Sequence, residues 1–139
     1  MNIEKAISIA LEAHKGQKDK GGLPYILHPL AVMNHVKTIE EKIVAVLHDV
    51  VEDTSVTIDM LREEGLEENL IKAIENVTKI EGESYTEFIE RAKSHPISRN
   101  VKIADIEENM NISRIKVPTQ KDYDRLEKYK ESLEYLLRA

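Results

Sequence analysis

Two histidines and two aspartates in this sequence occupy positions where chemistry rather than packing is the better explanation. His48 and Asp49 are adjacent inside the run IEEKIVAVLHDVVEDT, which is otherwise apolar from Ile43 to Val51. A helix that is apolar all round is buried all round. An aspartate inside it must be paired, hydrogen-bonded or bound to a cation. Taken alone, a His–Asp dipeptide would equally suit a structural pair bonded to its neighbours. Asp105 shifts that balance. Val101 stands one turn before it and Asn109 one turn after, so all three share one face of a second helix. A core-facing carboxylate there needs a cation or several donors. His28, at the mouth of a third helical segment, completes the set. Mixed imidazole and carboxylate donors from three helices, with coordination positions left open, suit Mn²⁺, Fe²⁺ or Zn²⁺ better than Ca²⁺. Such a site implies hydrolysis by a coordinated water of lowered pKa.

Glu52 and Asp53 follow one helical turn after His48 and Asp49. Acidic groups at a helix C-terminus oppose its dipole, so their presence needs a reason. Two carboxylates beside an activated water are suited to general acid/base transfer. Lys15, Lys18 and Lys20 lie in the loop before His28 and are available to an anionic substrate. His14, His35 and His95 read as structural, surface or loop residues.

The elements that position these groups are helical. Ile3, Ala6, Ile7, Ala10 and Leu11 recur at the helical period and open the chain with an amphipathic helix. Gly16 to Pro24 is a Gly/Lys-rich loop. Pro29 suits the first position of a helix over 29–37, with His28 as its cap. The run IEEKIVAVLHDVVEDT (39–54) is expected to carry a buried helix at the centre, with Glu52 and Asp53 at its open end. Thr57 caps a short helix over 58–64 that Gly65 ends. Further helices are expected around 70–77, 85–94, 97–112 and 120–138, with Pro96 and Pro118 as breaks. Nothing alternates with period two over a useful length. The expectation is an all-α helical bundle with no significant sheet, a single domain over 1–139.

Composition narrows the function. The chain has 139 residues, 41% hydrophobic and 33% charged, a globular balance that can form a core. There is no Cys, which excludes disulfides, thiolate zinc sites and thiol catalysis. There is no Trp and one Phe, too few for a platform that stacks single-stranded nucleic acid. The formal charge of −6 disfavours a nucleic acid polymer as partner, though not a small anionic ligand. The N-terminus carries Glu4 and lacks the pattern of a secretory signal, and no apolar run reaches the length of a membrane span. A cytoplasmic protein without a membrane partner is expected.

The segments HKGQ (14–17), GLPYILHPLAVM (22–33), LHDVVEDT (47–54) and VKIADIEENM (101–110) resemble, in order and spacing, the HD-domain hydrolases of the RelA/SpoT type. This group includes the hydrolase half of long alarmone enzymes and the free-standing small alarmone hydrolases. The resemblance spans about residues 3–138 and implies a metal-dependent phosphohydrolase, usually with Mn²⁺. The reaction it implies is removal of the 3′-pyrophosphate of guanosine tetraphosphate or pentaphosphate. By position it makes His28, His48, Asp49 and Asp105 metal ligands. Glu52 and Asp53 become the pair that positions or activates the attacking water, and Lys20 and Asn109 the nucleotide contacts. Two departures stand out. Asp19 occupies a position where the family has an arginine against guanine, and Ile106-Glu107-Glu108 replaces a segment richer in basic and aromatic residues.

Two alternatives follow. One is the same chemistry on another nucleotide or phosphorylated metabolite, which Asp19 and Ile106 motivate. The other is a non-catalytic nucleotide- or metal-binding sensor, against which the Glu52–Asp53 pair argues.

Overall fold

The computed structural model describes residues 1–111 and 117–138. It is all-α. The only β feature among the described residues is an isolated bridge between Lys18 and Pro24. The chain opens with α1 (Ile3–Ala13), whose N-cap Asn2 accepts a hydrogen bond from the Lys5 N–H at 2.8 Å. Then come α2 (Leu27–Asn34) and α3 (Ile39–Leu47). Helix α3 starts in a capping box. The Thr38 hydroxyl accepts from Glu41 N–H at 3.1 Å, and the Glu41 carboxylate accepts from Thr38 N–H at 3.0 Å.

Helix α3 is the centre of the fold. Val44, Ala45, Val46 and Leu47 are fully buried, and α1, α2, α6 and α8 pack around them. Val44, Val46 and Leu47 each contribute about 1.5–3 kcal/mol through burial. Short α4 (Val50–Asp53) and α5 (Ile58–Glu63) lead to α6 (Glu68–Asn76), which presents Leu70, Ile71 and Ile74 to the same core. Gly65, at φ +94°, makes the turn after α5. Helices α7 (Tyr85–Lys93), α8 (Pro96–Asn109) and α9 (Gln120–Leu137) complete the bundle. Helix α8 serves two cores. Val101 and Ala104 pack into the main one, and Ile106 packs with Ile89 and Leu136 in a smaller one.

Several expected boundaries move. The central run is not one helix. Its hydrogen-bond ladder breaks at His48–Asp49, where α3 gives way to α4. An unbroken helix would give the Ala45 carbonyl to Asp49 N–H. Here the His48 ring takes that carbonyl through Nδ1 at 2.5 Å, beside the His48 N–H at 3.4 Å. Pro29 is the third residue of α2, not the first, and His28 is the second rather than the cap, since Ile26 is the N-cap. A proline anywhere in the first turn sacrifices no intrahelical bond, which is why this register is allowed. Pro96 opens α8 at its first position instead of separating helices. His95 caps α8, its Nδ1 accepting from Ile97 N–H at 3.1 Å. Ile112, the last residue of the expected helix 97–112, lies outside the described residues.

Candidate active site

The break between α3 and α4 aims two adjacent side chains at one point. The Ala45 carbonyl can only accept, so His48 Nδ1 carries a hydrogen and Nε2 is the ring nitrogen turned to the cluster. Nε2 is buried and makes no hydrogen bond of acceptable geometry. It lies 3.0 Å from Asp49 Oδ2 and 3.3 Å from Asp105 Oδ1. From α2, His28 Nε2 approaches to 2.9 Å from Asp105 Oδ1 and 4.0 Å from Asp49 Oδ2. The donor atoms of His28, His48 and Asp49 lie within 4.8 Å of one another. Four atoms expected from sequence to be metal donors thus converge from α2, α8 and the α3–α4 junction.

The electrostatics of the cluster favour a cation. Burial, the largest influence on His48, disfavours its charged form. Asp49 and then Asp105 outweigh burial, and the His48 pKa is pushed well up. For Asp105, burial would raise the pKa. The Lys102 ammonium and then His48 more than offset this, and the carboxyl is held well below its usual range. Asp49 is lowered in the same manner, chiefly by His48 against burial. Two buried carboxylates that stay ionised draw positive charge to His48 Nε2, as a proton when no ion is bound or as a divalent metal ion that takes the proton's place. The residues present fit such an ion.

A cavity of about 540 Å³ opens onto the cluster. Its wall carries Lys18, Asp19, Lys20, Glu52, Asp53 and Asn109, so of the site residues expected from sequence all but Lys15 lie in the cluster or along the cavity. Glu52 and Asp53 hold oxygen atoms within 4.8 Å of each other and of Asp49. Glu52 Oε1 accepts from Lys79 N–H at 2.8 Å. Burial, then Asp49 and Glu52, raise the Asp53 pKa. Asn109 donates to Asp105 Oδ1 at 3.2 Å. Lys20 stands 3.6 Å from Asp122 of α9. Lys15 is not on this wall and faces a separate groove beside α1.

The two departures have different structural consequences. Asp19 is on the cavity wall, but its Oδ1 accepts from Gly21 N–H at 2.8 Å and Leu23 N–H at 3.0 Å, so it folds its own loop. Ile106 is fully buried in the smaller core, away from the cavity. Glu108 pairs with His35 at 3.1 Å at the exposed end of α2.

Sequence reasoning passed over three groups here. The Tyr25 hydroxyl donates to Asp49 Oδ2, and burial followed by Asp49 drives its pKa far up. Lys102 Nζ lies 3.0 Å from Asp105 Oδ2, a pairing that its i, i+3 offset could have suggested. Gln17 accepts from His14 Nδ1 at 2.9 Å and donates to the Asp53 carbonyl at 3.0 Å, tying α1 to α4. His14 is therefore a buried structural histidine, its ring 4.9 Å from the Tyr25 ring and tilted 50° to it.

A helical bundle with this histidine–aspartate cluster defines a class, and comparison with known proteins agrees. The HD domain family model matches residues 6–123, and the chain belongs to that family. It is 32% identical over 146 residues to a protein of Mycobacterium leprae named probable GTP pyrophosphokinase, covering 96% of this chain and 18% of that one. It is 34% identical over 120 residues to the guanosine-3′,5′-bis(diphosphate) 3′-pyrophosphohydrolase of Aquifex aeolicus, covering 78% of this chain and 17% of that one. The chain thus spans less than a fifth of the length of these relatives. A solved structure described as a metazoan ortholog of SpoT that hydrolyzes ppGpp superposes with a TM-score of 0.81. It has 22% identity and covers 99% of this chain and 85% of that one, and so shares the fold. Among the described residues, no helix is long and apolar enough to cross a membrane.

Proposed function

We propose that this chain is a metal-dependent pyrophosphohydrolase that removes the 3′-pyrophosphate of guanosine tetraphosphate or pentaphosphate. The observation that carries this reading is the convergence of His28, His48, Asp49 and Asp105 at the floor of a cavity whose wall holds both carboxylates and lysines. The pyrophosphohydrolase name of the Aquifex relative supports the choice of substrate.

His28, His48, Asp49 and Asp105 would hold the ion, with Mn²⁺ favoured and Fe²⁺ or Zn²⁺ compatible with the same donors. When bound, the ion supplies Lewis acidity toward a phosphoryl oxygen and a lowered pKa for water. Glu52 and Asp53 orient that water and take its proton as its oxygen attacks phosphorus. The bond to the ribose 3′-oxygen breaks, and that oxygen receives a proton from the same pair. Because Oε1 of Glu52 is engaged by Lys79, the transfer falls to its other oxygen or to Asp53. Lys20 and Asn109 hold the nucleotide. The products are pyrophosphate and the guanosine 5′-phosphates, and a nucleotide substrate of this kind fits a cytoplasmic protein.

The test is incubation of purified protein with Mn²⁺ and guanosine tetraphosphate, with pyrophosphate and nucleotide products measured. Pyrophosphate release that Asp49→Ala abolishes supports the proposal. No release from metal-loaded protein refutes it. Asp19 on the cavity wall gives a second reading a specific basis, in which the same chemistry acts on another phosphorylated nucleotide. Fastest turnover of a different compound in a nucleotide panel would establish that reading.

A further inference from the structure

Lys102 differs from the other cations around the cavity. Lys18 and Lys20 are exposed loop residues, the Lys20 side chain being 58% exposed. Arg125 is 37% exposed and shares the Asp122 carboxylate at the rim, at 3.3 Å. Lys102 rises from α8 into the cavity wall with only 12% of its side chain exposed. Its Nζ lies 3.0 Å from Asp105 Oδ2 and 4.6 Å from the centre of the Phe88 ring. Asp105 uses its other oxygen toward His28 and His48. The ammonium is therefore one carboxylate's width from the cluster, and its position is set by a buried ring and an ion pair.

An ammonium has three N–H donors. Among the described residues, one is directed to Asp105 and the Phe88 face receives the positive charge, which leaves donor capacity on the cavity side. A cation held in this way next to the cluster is preorganised for an anion, because little side-chain freedom remains to be lost on binding. We infer that Lys102 is a substrate-contacting residue, its ammonium binding a phosphoryl oxygen of the group that is cleaved. This rests on the proposed phosphohydrolase reading and assigns the phosphate contact of that site to a buried lysine instead of to the loop lysines alone. Lys102 also steadies Asp105, so the test must separate the two roles.

Inorganic pyrophosphate is the probe, titrated calorimetrically into Mn²⁺-loaded protein, with bound manganese counted by elemental analysis. A charge-assisted hydrogen bond of this kind corresponds to about ten- to a hundredfold in affinity. Lys102→Met is expected to keep the manganese stoichiometry of the parent protein and bind pyrophosphate weaker by that factor. Lys102→Arg, which keeps the charge, is expected to recover most of the loss. Should Lys102→Met fail to fold by circular dichroism, Lys102→Gln is measured in the same way, since its amide still donates to Asp105. Unchanged pyrophosphate affinity in the neutral variant overturns the inference. So does a loss that merely follows lost manganese, or a manganese-loaded parent protein that binds no pyrophosphate. The functional reading fails separately. If pyrophosphate binds through Lys102 while guanosine tetraphosphate stays intact, the phosphate contact stands and the proposed substrate does not.

Discussion

His48 Nε2 and Asp49 Oδ2 lie 3.0 Å apart, though they belong to consecutive residues that a continuous helix would turn in different directions. The break in the ladder between α3 and α4 makes this possible. It arises because the His48 ring captures the Ala45 carbonyl. The same contact holds the hydrogen on Nδ1, so Nε2 is the nitrogen a metal ion would bind in place of a proton.

If this geometry binds a divalent ion, the ion stabilises the folded state. At a concentration one hundred times its dissociation constant, Mn²⁺ is expected to contribute about 2.7 kcal/mol. Chelator-treated protein should therefore melt several degrees lower than the Mn²⁺-loaded form in differential scanning calorimetry. Asp49→Ala should show no Mn²⁺-dependent shift.

The acid pair predicts a different pattern. Glu52→Gln and Asp53→Asn are expected to keep bound metal, since both leave His28, His48, Asp49 and Asp105 intact, although Glu52 and Asp53 form a second acidic group with Asp49. Turnover should fall by about 10²–10⁴, the usual weight of general acid/base transfer. Steady-state kinetics beside metal analysis tests this, and full activity in both variants would remove the pair from the mechanism.

Tyr25→Phe deletes one hydroxyl, the donor to Asp49 Oδ2. Partners that orient a metal ligand typically influence metal affinity or activity by about 10–100-fold. The expected result is a loss in that range in Mn²⁺ affinity or kcat with little change in melting temperature, because the ring and its contact with His14 remain.

Glu41 predicts a pH dependence of stability far from the cavity. Burial raises its pKa, but hydrogen bonds from Thr38 and Asn100 outweigh burial and hold it below 4.5. A carboxyl lowered in the fold stabilises above its unfolded pKa, and loses that effect as pH falls through the folded value. Glu41→Gln keeps the capping pattern but makes its charge-assisted hydrogen bonds neutral, and should therefore cost about 1 kcal/mol near neutral pH. The difference from the parent protein should shrink as pH falls below 4.5, and urea melts across pH 3–7 would show it.

Much of the fold was legible in the sequence because it rests on local signals. The 3.6-residue periodicity of α1, the Thr57 cap and Gly65 turn, and the apolar run from Ile43 to Leu47 each report short-range energetics. The sequence also marked His28, His48, Asp49 and Asp105, since charge in an apolar stretch is costly unless it has a purpose. The end of α3 at Leu47 was not legible. It depends on whether a ring nitrogen or a backbone N–H takes the Ala45 carbonyl, and propensity does not discriminate between these. Tyr25 and Lys102 were missed because each is ordinary in its own segment. Tyr25 matters through a bond to Asp49, 24 residues away, and Lys102 through its place between the Phe88 ring and Asp105. The sequence by itself determined the helices and the residues too polar for their surroundings. Only the tertiary structure decided that His28 and Asp105, 77 positions apart, meet at 2.9 Å, because distance between helices is set by packing and not by spacing along the chain.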